Sequence, residues 1–305
     1  MVRSQFWRGT IYGITAASIW GSMYVVSDLV LEVVPPFTLL SARVLLALLV
    51  LWPLSRRRGL SPPPRLRLAG LMMVGIVGIG ISLGTQFIGT DLSTAVNGAL
   101  ITSASPAFVV LFALLILREK LTAARLFVIV LATAGVLIIV DPTSTDFNSE
   151  TFLGDVFLAA SAVTWGLYSV LVRRIAVSHE IPTLAVTVFA LLGGLLVALP
   201  GSAMELSLRP IGIVSPGIVF GVLYLGLACT AFALLLWNRA FALVPATIAS
   251  LFFFAQPLSG AILAALFLGQ SMTPALWLGG ALIVLAVLFS LQRPARKSAN
   301  EQAAT

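Results

Sequence analysis

Polar residues in this chain fall in clusters rather than at helical spacing. Between the clusters run long apolar stretches, each close to the roughly 20 residues that a helix needs to cross a hydrocarbon core. Ten can be marked, at about 10–31, 36–54, 68–90, 95–117, 122–140, 153–172, 182–200, 214–236, 246–268 and 273–291. The breaks carry helix-stopping punctuation: Pro35-Pro36, Pro62-Pro63-Pro64, Asp141-Pro142, Pro200-Gly201 and Gly269-Gln270. The apolar runs are continuous, without the alternation of a lipid-facing strand, which excludes a β-barrel. The pattern predicts an all-α integral membrane protein with ten transmembrane helices. Short connections make sequential spans antiparallel neighbours, and small residues such as Gly75, Gly78, Gly80 and Gly84 let helices approach closely. The first stretch is longer than a signal core and lacks a small-residue cleavage site, so it reads as a retained span.

Composition sharpens this picture. Of 305 residues, 59% are hydrophobic and 10% charged, and the mean hydropathy is +1.08. Soluble domains carry about 25% charged residues, so a soluble enzyme, a disordered chain and a nucleic-acid-binding domain are excluded together. The net charge of +7 is a topology signal. Sixteen of the 18 basic residues fall on one side: Arg3 and Arg8, the Arg56–Arg67 cluster, Arg118, Lys120, Arg125, Arg173, Arg174, Arg239 and the tail. Arg209 is alone on the other side, and Arg43 falls inside a span. The positive-inside rule then places both termini in the cytoplasm of a bacterial-type inner membrane.

The chain repeats itself. Ile19-Trp20-Gly21 returns as Thr164-Trp165-Gly166. Leu92, Ala95, Leu100, Ala104 and Pro106 match Leu243, Ala246, Leu251, Ala255 and Pro257 at one constant offset. Residues 1–141 form a first unit of five spans, 142–152 an outer linker, 153–292 a second unit of five, and 293–305 a polar tail. Five is odd, so the second unit enters the membrane from the opposite side. Inverted repeats of this kind recur in secondary transporters.

The sequence Ile19-Trp20-Gly21-Ser22, Pro36 followed by Arg43, the stretch from Pro106 to Arg118-Glu119-Lys120-Leu121, and Ala134-Gly135-Val136 resemble an EamA-type domain. The second half resembles another. The resemblance spans essentially the whole chain and implies the drug/metabolite transporter superfamily, whose ten-helix members include amino-acid and metabolite exporters. Gln270 stands where an acidic residue is usual at the end of the ninth helix, so the second half has no ionic counterpart to Glu119.

Polar and aromatic side chains at membrane depth mark the candidate substrate site. Trp20 and Tyr24 share one face of the first span; Trp165 and Tyr168 share one face of the sixth. The repeat would set the two tryptophans on opposite walls, where they either hold a substrate or pack as core. Asn97, Ser105, Gln86, Tyr224 and Gln256 are hydrogen-bonding candidates for orienting polar groups. Pro106 and Pro257 are candidate hinges, because each proline frees a backbone carbonyl one turn earlier. Arg43 and Glu119 read as structural charges, with Arg43 open to either Asp28 or a substrate carboxylate. Phe252-Phe253-Phe254 reads as lipid-facing or core, and Cys229 as a packing residue.

Asp28, Asp91 and Asp155 fall near outer span ends, so no carboxylate is expected at mid-membrane depth. That weakens proton antiport against facilitated diffusion and leaves the energy source open. One cysteine and one histidine, His179, leave no metal cluster, and no phosphate loop or nucleophile elbow occurs. No cofactor and no catalysis are expected. The expected activity is transport of small organic metabolites, amino acids foremost, by alternating access; its outward direction comes from the resemblance alone. Efflux of lipophilic or cationic drugs, or a non-transporting scaffold, are the alternatives. The partners are a small-molecule substrate and the bilayer, with no nucleic acid, and a monomer suffices.

Overall fold

The computed structural model describes residues 3–60, 62–93, 98, 101–140, 151–178, 181–268 and 274–292. These residues are helical apart from short connections, with no strand among them. In chain order the helices are α1 (Arg3–Trp20), α2 (Met23–Leu31), α3 (Pro36–Arg57), α4 (Arg65–Gly75), α5 (Ser82–Leu92), α6 (Ser105–Ile116), α7 (Ala123–Val140), α8 (Phe152–Ser178), α9 (Thr183–Leu208), α10 (Pro216–Tyr224), α11 (Ala233–Leu243), α12 (Ala246–Ala249), α13 (Ala255–Leu268) and α14 (Pro274–Gln292). A wider π-helical turn, Ile76–Ile81, joins α4 to α5, and another, Leu225–Phe232, joins α10 to α11.

Six stretches among the described residues are long and apolar enough to cross a membrane: Ser4–Leu31, Pro36–Arg57, Arg65–Leu92, Phe152–Val177, Thr183–Leu208 and Pro216–Leu243. Four shorter apolar helices, Ser105–Ile116, Leu126–Gly135, Ala246–Gly260 and Trp277–Ala286, lie where the remaining four apolar stretches of the sequence fall. The 142–150 part of the outer linker, the 293–305 tail, Asn97, His179 and Gln270 lie outside the described residues.

One predicted boundary is wrong. Pro200-Gly201 does not end a helix, because α9 continues through it to Leu208. Proline there forgoes one backbone bond, and a membrane helix tolerates the loss where neighbours pack closely. Gly201 supplies that closeness, since a Cβ on it would meet the Phe37 ring at 2.6 Å.

Packing pairs follow the repeat. α3 lies against α9, and α7 against α14; each joins equivalent helices of the two sequence units. α5 packs on α8 while α11 packs on α1, and α6 packs on α8 while α13 packs on α1. Exchanging the two units maps each of these contacts onto its mate. The π-helical turns also occupy equivalent places, each midway along the third stretch of its unit. The site described below lies among α1, α2, α3, α5, α6, α8, α11 and α13.

Gly75 at the end of α4 and Gly78 in its π-helical turn sit at helix crossings. A Cβ on Gly75 would lie 1.9 Å from the Ala190 carbonyl oxygen, and on Gly78 2.0 Å from the Tyr168 side chain. Backbone cannot retreat as a flexible side chain can. Gly75→Val is therefore expected to force α4 off α9 and cost about 1–3 kcal/mol or more. Thermal melting in detergent micelles reads this directly; an unchanged melting temperature would mean that α4 and α9 do not cross this closely.

Candidate functional site

Helix breaks surround one cavity. The first stretch breaks at Gly21-Ser22, directly after Trp20. A turn at Ser103-Ala104 precedes Pro106, which sits in the first turn of α6. In the second unit a tighter 3₁₀ turn, Ser250–Phe254, precedes Pro257. Both candidate hinge prolines thus follow a change of helical geometry, and irregular backbone at membrane depth is tolerated where it lines a cavity.

The Trp-Gly repeats have a common geometry. A Cβ on Gly21 would lie 2.7 Å from the Gln256 carbonyl oxygen, and one on Gly166 would lie 2.7 Å from Cβ of Phe108. Each glycine therefore lets its helix close on the proline-bearing helix of the other unit. The adjoining tryptophan is turned to the cavity wall.

The cavity holds about 490 Å³ of space unfilled by protein atoms, its mouth included. Its wall comprises Trp20, Met23, Tyr24, Arg43, Leu83, Gln86, Thr102 and Ser105 from the first unit, with Ser161, Trp165, Cys229, Thr230, Leu234, Phe253 and Gln256 from the second. Of the candidate residues named from sequence, Trp20, Tyr24, Gln86, Ser105, Trp165 and Gln256 therefore come together on one wall. Tyr168 and Tyr224 do not. The Tyr168 hydroxyl donates to Asn238 Oδ1 at 3.1 Å behind Trp165, and Asn238 Nδ2 donates onward to Thr187 Oγ1 at 3.0 Å. The Tyr224 hydroxyl lies 2.6 Å from Ser22 Oγ.

Trp20 and Trp165 do not face each other across an open space. Their rings meet edge to face, 5.3 Å apart at 81°. Trp237 lies 5.2 Å from Trp20 and 5.6 Å from Phe253, closing an aromatic floor. The Trp20 indole N–H donates to the Cys229 carbonyl at 2.9 Å, an oxygen within the Leu225–Phe232 π-helical turn. Thr230 Oγ1 donates to the Leu225 carbonyl at 2.8 Å. On the other side, Gln86 Nε2 donates to the Tyr24 hydroxyl at 2.7 Å; that hydroxyl also bonds Thr102, and Ser105 Oγ donates to the Thr102 carbonyl at 2.7 Å.

Arg43 lies in this wall, not against Asp28. Its Nε donates to Thr230 Oγ1 at 3.0 Å, and Cζ stands 4.8 Å from the centre of the Phe87 ring. Asp28 is exposed at the far end of α2, so the ion pair open to Arg43 from sequence is not formed. Helical spacing from the named candidates would have found several more wall residues: Ser161 four before Trp165, Thr102 three before Ser105, Phe253 three before Gln256, Leu83 three before Gln86. Cys229 and Thr230 lie five and six residues beyond Tyr224 on one continuous stretch, off its helical face, and only tertiary packing brings them to the wall beside Arg43. Phe253, read as core or lipid-facing, is a wall residue, as is Cys229.

Glu119, read from sequence as a structural charge, joins two helix ends. Arg118 ends α6 in a left-handed conformation, φ 53°, which swings Glu119 under the start of α12. Its Oε1 accepts from the Ala246 N–H at 2.9 Å, and its Oε2 from the Thr247 N–H at 3.1 Å and hydroxyl at 2.9 Å. Arg173 pairs with it at 3.0 Å and donates from Nη1 to the last carbonyls of α11, Phe241 at 2.8 Å and Val244. A carboxylate thus faces a helix start and a guanidinium a helix end, each matching the helix dipole.

A cavity walled by aromatic, apolar and a few polar side chains, set between two repeated sets of apolar helices, has the architecture of a membrane carrier. The EamA-like transporter family model matches residues 7–141 and 152–292, and the chain belongs to that family. It is 28% identical to an uncharacterized transporter of Archaeoglobus fulgidus over 81% of this chain and 84% of that one. It is 28% identical to a riboflavin transporter of Vibrio cholerae over 88% and 87%. It is 32% identical to a protein of Pseudomonas aeruginosa named "Probable biotin transporter" over 80% and 84%. A crystal structure 23% identical in sequence superposes with a TM-score of 0.78, covering 92% of this chain and 96% of that one, which establishes the shared fold.

With 17% and 14% of their side chains exposed, Arg173 and Glu119 are well shielded. Glu119→Ala is expected to cost about 2–4 kcal/mol, between the loss of a helix cap and the breaking of a fully buried pair. Glu119→Gln should cost less. Detergent-denaturation midpoints check the order; equal stability of all three proteins would remove the clamp.

Proposed function

We propose that this chain is a secondary transporter of small organic metabolites, with amino acids the first class to test. In this reading ten helices form two inverted five-helix repeats, residues 1–141 and 153–292, with both termini on the cytoplasmic side of an inner membrane. The observation that carries it is the cavity between the two units, whose wall both contribute. Exchange of the two units' conformations would open that cavity first to one side and then to the other. The clustering of Arg and Lys at one set of span ends supports the orientation. Outward movement rests on the family resemblance.

The wall supports the substrate assignment by its chemistry. Trp20, Leu234 and Phe253 offer an apolar surface, while Tyr24, Gln86, Ser105 and Gln256 would orient polar groups. Pro106 and Pro257 would serve as hinges. The names of two relatives, a riboflavin and a probable biotin transporter, extend the class to heterocyclic solutes. Cationic drugs are the weaker alternative, since no carboxylate lines the cavity among the described residues.

Purified protein in liposomes is expected to give saturable flux of at least one radiolabelled amino acid, riboflavin or biotin without an imposed pH gradient. Trp165→Ala should lower that flux about ten-fold, through loss of stacking and of the contacts that place it, at equal amounts of folded protein. Flux that appears only with the gradient would make the carrier proton-coupled. Flux of no solute under either condition would sink the transport reading in favour of a scaffold.

A further inference from the structure

We infer that Arg43 is the specificity-determining residue of the cavity, and that it selects solutes bearing a carboxylate or similar oxyanion. This rests on the transporter reading above and narrows it. Arg43 is 1% exposed and stands about a third of the way along α3, within a stretch long and apolar enough to cross a membrane. Its Nε is used by Thr230 and its Nη2 reaches the Met23 sulfur at 3.6 Å, while Nη1 has no partner. The ion pairs among the described residues belong to Arg173 with Glu119 and Arg209 with Asp91. Among the described residues, therefore, no carboxylate balances Arg43.

An uncompensated guanidinium in a dry membrane interior is costly, and such groups are placed where they meet a counter-charge or a water-filled path. One aromatic ring and one thioether do not supply a counter-charge. The cavity wall in which Arg43 lies can receive one, carried by the solute. The same wall holds two more unpartnered polar atoms, Trp165 Nε1 and Gln256 Oε1. The indole N–H is a second donor for an oxyanion, and the amide oxygen is an acceptor for an N–H or O–H on the solute body. A cavity with two free donors, one of them charged, and a single neutral acceptor favours an anionic head group. It offers an ammonium group no carboxylate. The preferred class is thus a carboxylate joined to a flat apolar body, with the amine of an amino acid dispensable.

Cys229 is the chain's single cysteine and lines the same cavity, so it reports the local potential without any knowledge of the natural solute. In the unaltered protein it would be modified by an anionic reagent, sulfonatoethyl methanethiosulfonate, and by a cationic one, trimethylammonioethyl methanethiosulfonate. Each rate is divided by that reagent's rate with free mercaptoethanol. The anionic reagent is expected to be favoured about ten-fold, as a focused positive potential requires. Arg43→Gln should remove the preference and Arg43→Lys should keep it. Equal normalised rates, a cationic preference, or a Cys229 that neither reagent reaches would each overturn the assignment, on the wild-type protein alone. Flux that persists without any charge preference would sink only the role of Arg43. A clear anionic preference in a protein that moves no solute would sink only the transport reading.

Discussion

A backbone amide or carbonyl inside a bilayer has no water to bond, so each must be satisfied by the protein itself. The architecture follows from that constraint. Regular helices meet it internally, which is why the apolar stretches are helical almost end to end. Where the helices depart from regularity, a side chain takes over the freed group. The Trp20 indole bonds a carbonyl in the second π-helical turn, and Thr230 bonds the carbonyl that begins it. Glu119 serves the first amides of α12, and Glu205 Oε2 serves those of α3, accepting from Phe37 at 2.7 Å and Thr38 at 3.1 Å. The breaks at Gly21-Ser22, Ser103-Ala104, Leu225–Phe232 and Ser250–Phe254 border the cavity, while the Ile76–Ile81 turn packs mainly against α9.

The same constraint explains what could be read from sequence. Apolar length and polar punctuation place helices well, because a span must be long and its ends must be polar. The Trp-Gly repeat marks a wall residue beside a close crossing, and its two copies behave alike. Pro200 misleads because a proline in a packed membrane helix does not have to stop it. Tyr168 misleads because helical spacing gives a face but not what lies opposite. Asn238 lies within bonding distance of its hydroxyl, and that partner comes from a different stretch seventy residues away.

Arg43 marks the limit of one-dimensional reading. A lone basic residue within a span suggests either a structural ion pair or a ligand contact, and Asp28, toward the outer end of the preceding span, is a natural partner on paper. In three dimensions α3 carries Arg43 to the cavity while Asp28 stays exposed at the end of α2. Thr230, Met23 and Phe87, its actual neighbours, come from three other stretches. Their identity follows from helix packing, which no local pattern encodes.

The clamp at the Val244-Pro245 connection also has a mechanical consequence. Arg173 belongs to α8 and Glu119 follows α6, yet between them they hold the end of α11 and the start of α12. Four chain segments are thereby pinned at one point by a single pair of charges and a short connection. Any large displacement that leaves this joint intact must carry those four ends together as one block, turning about it like leaves on a common pin. The slack in the bundle then belongs elsewhere, along the turns that precede Pro106 and Pro257.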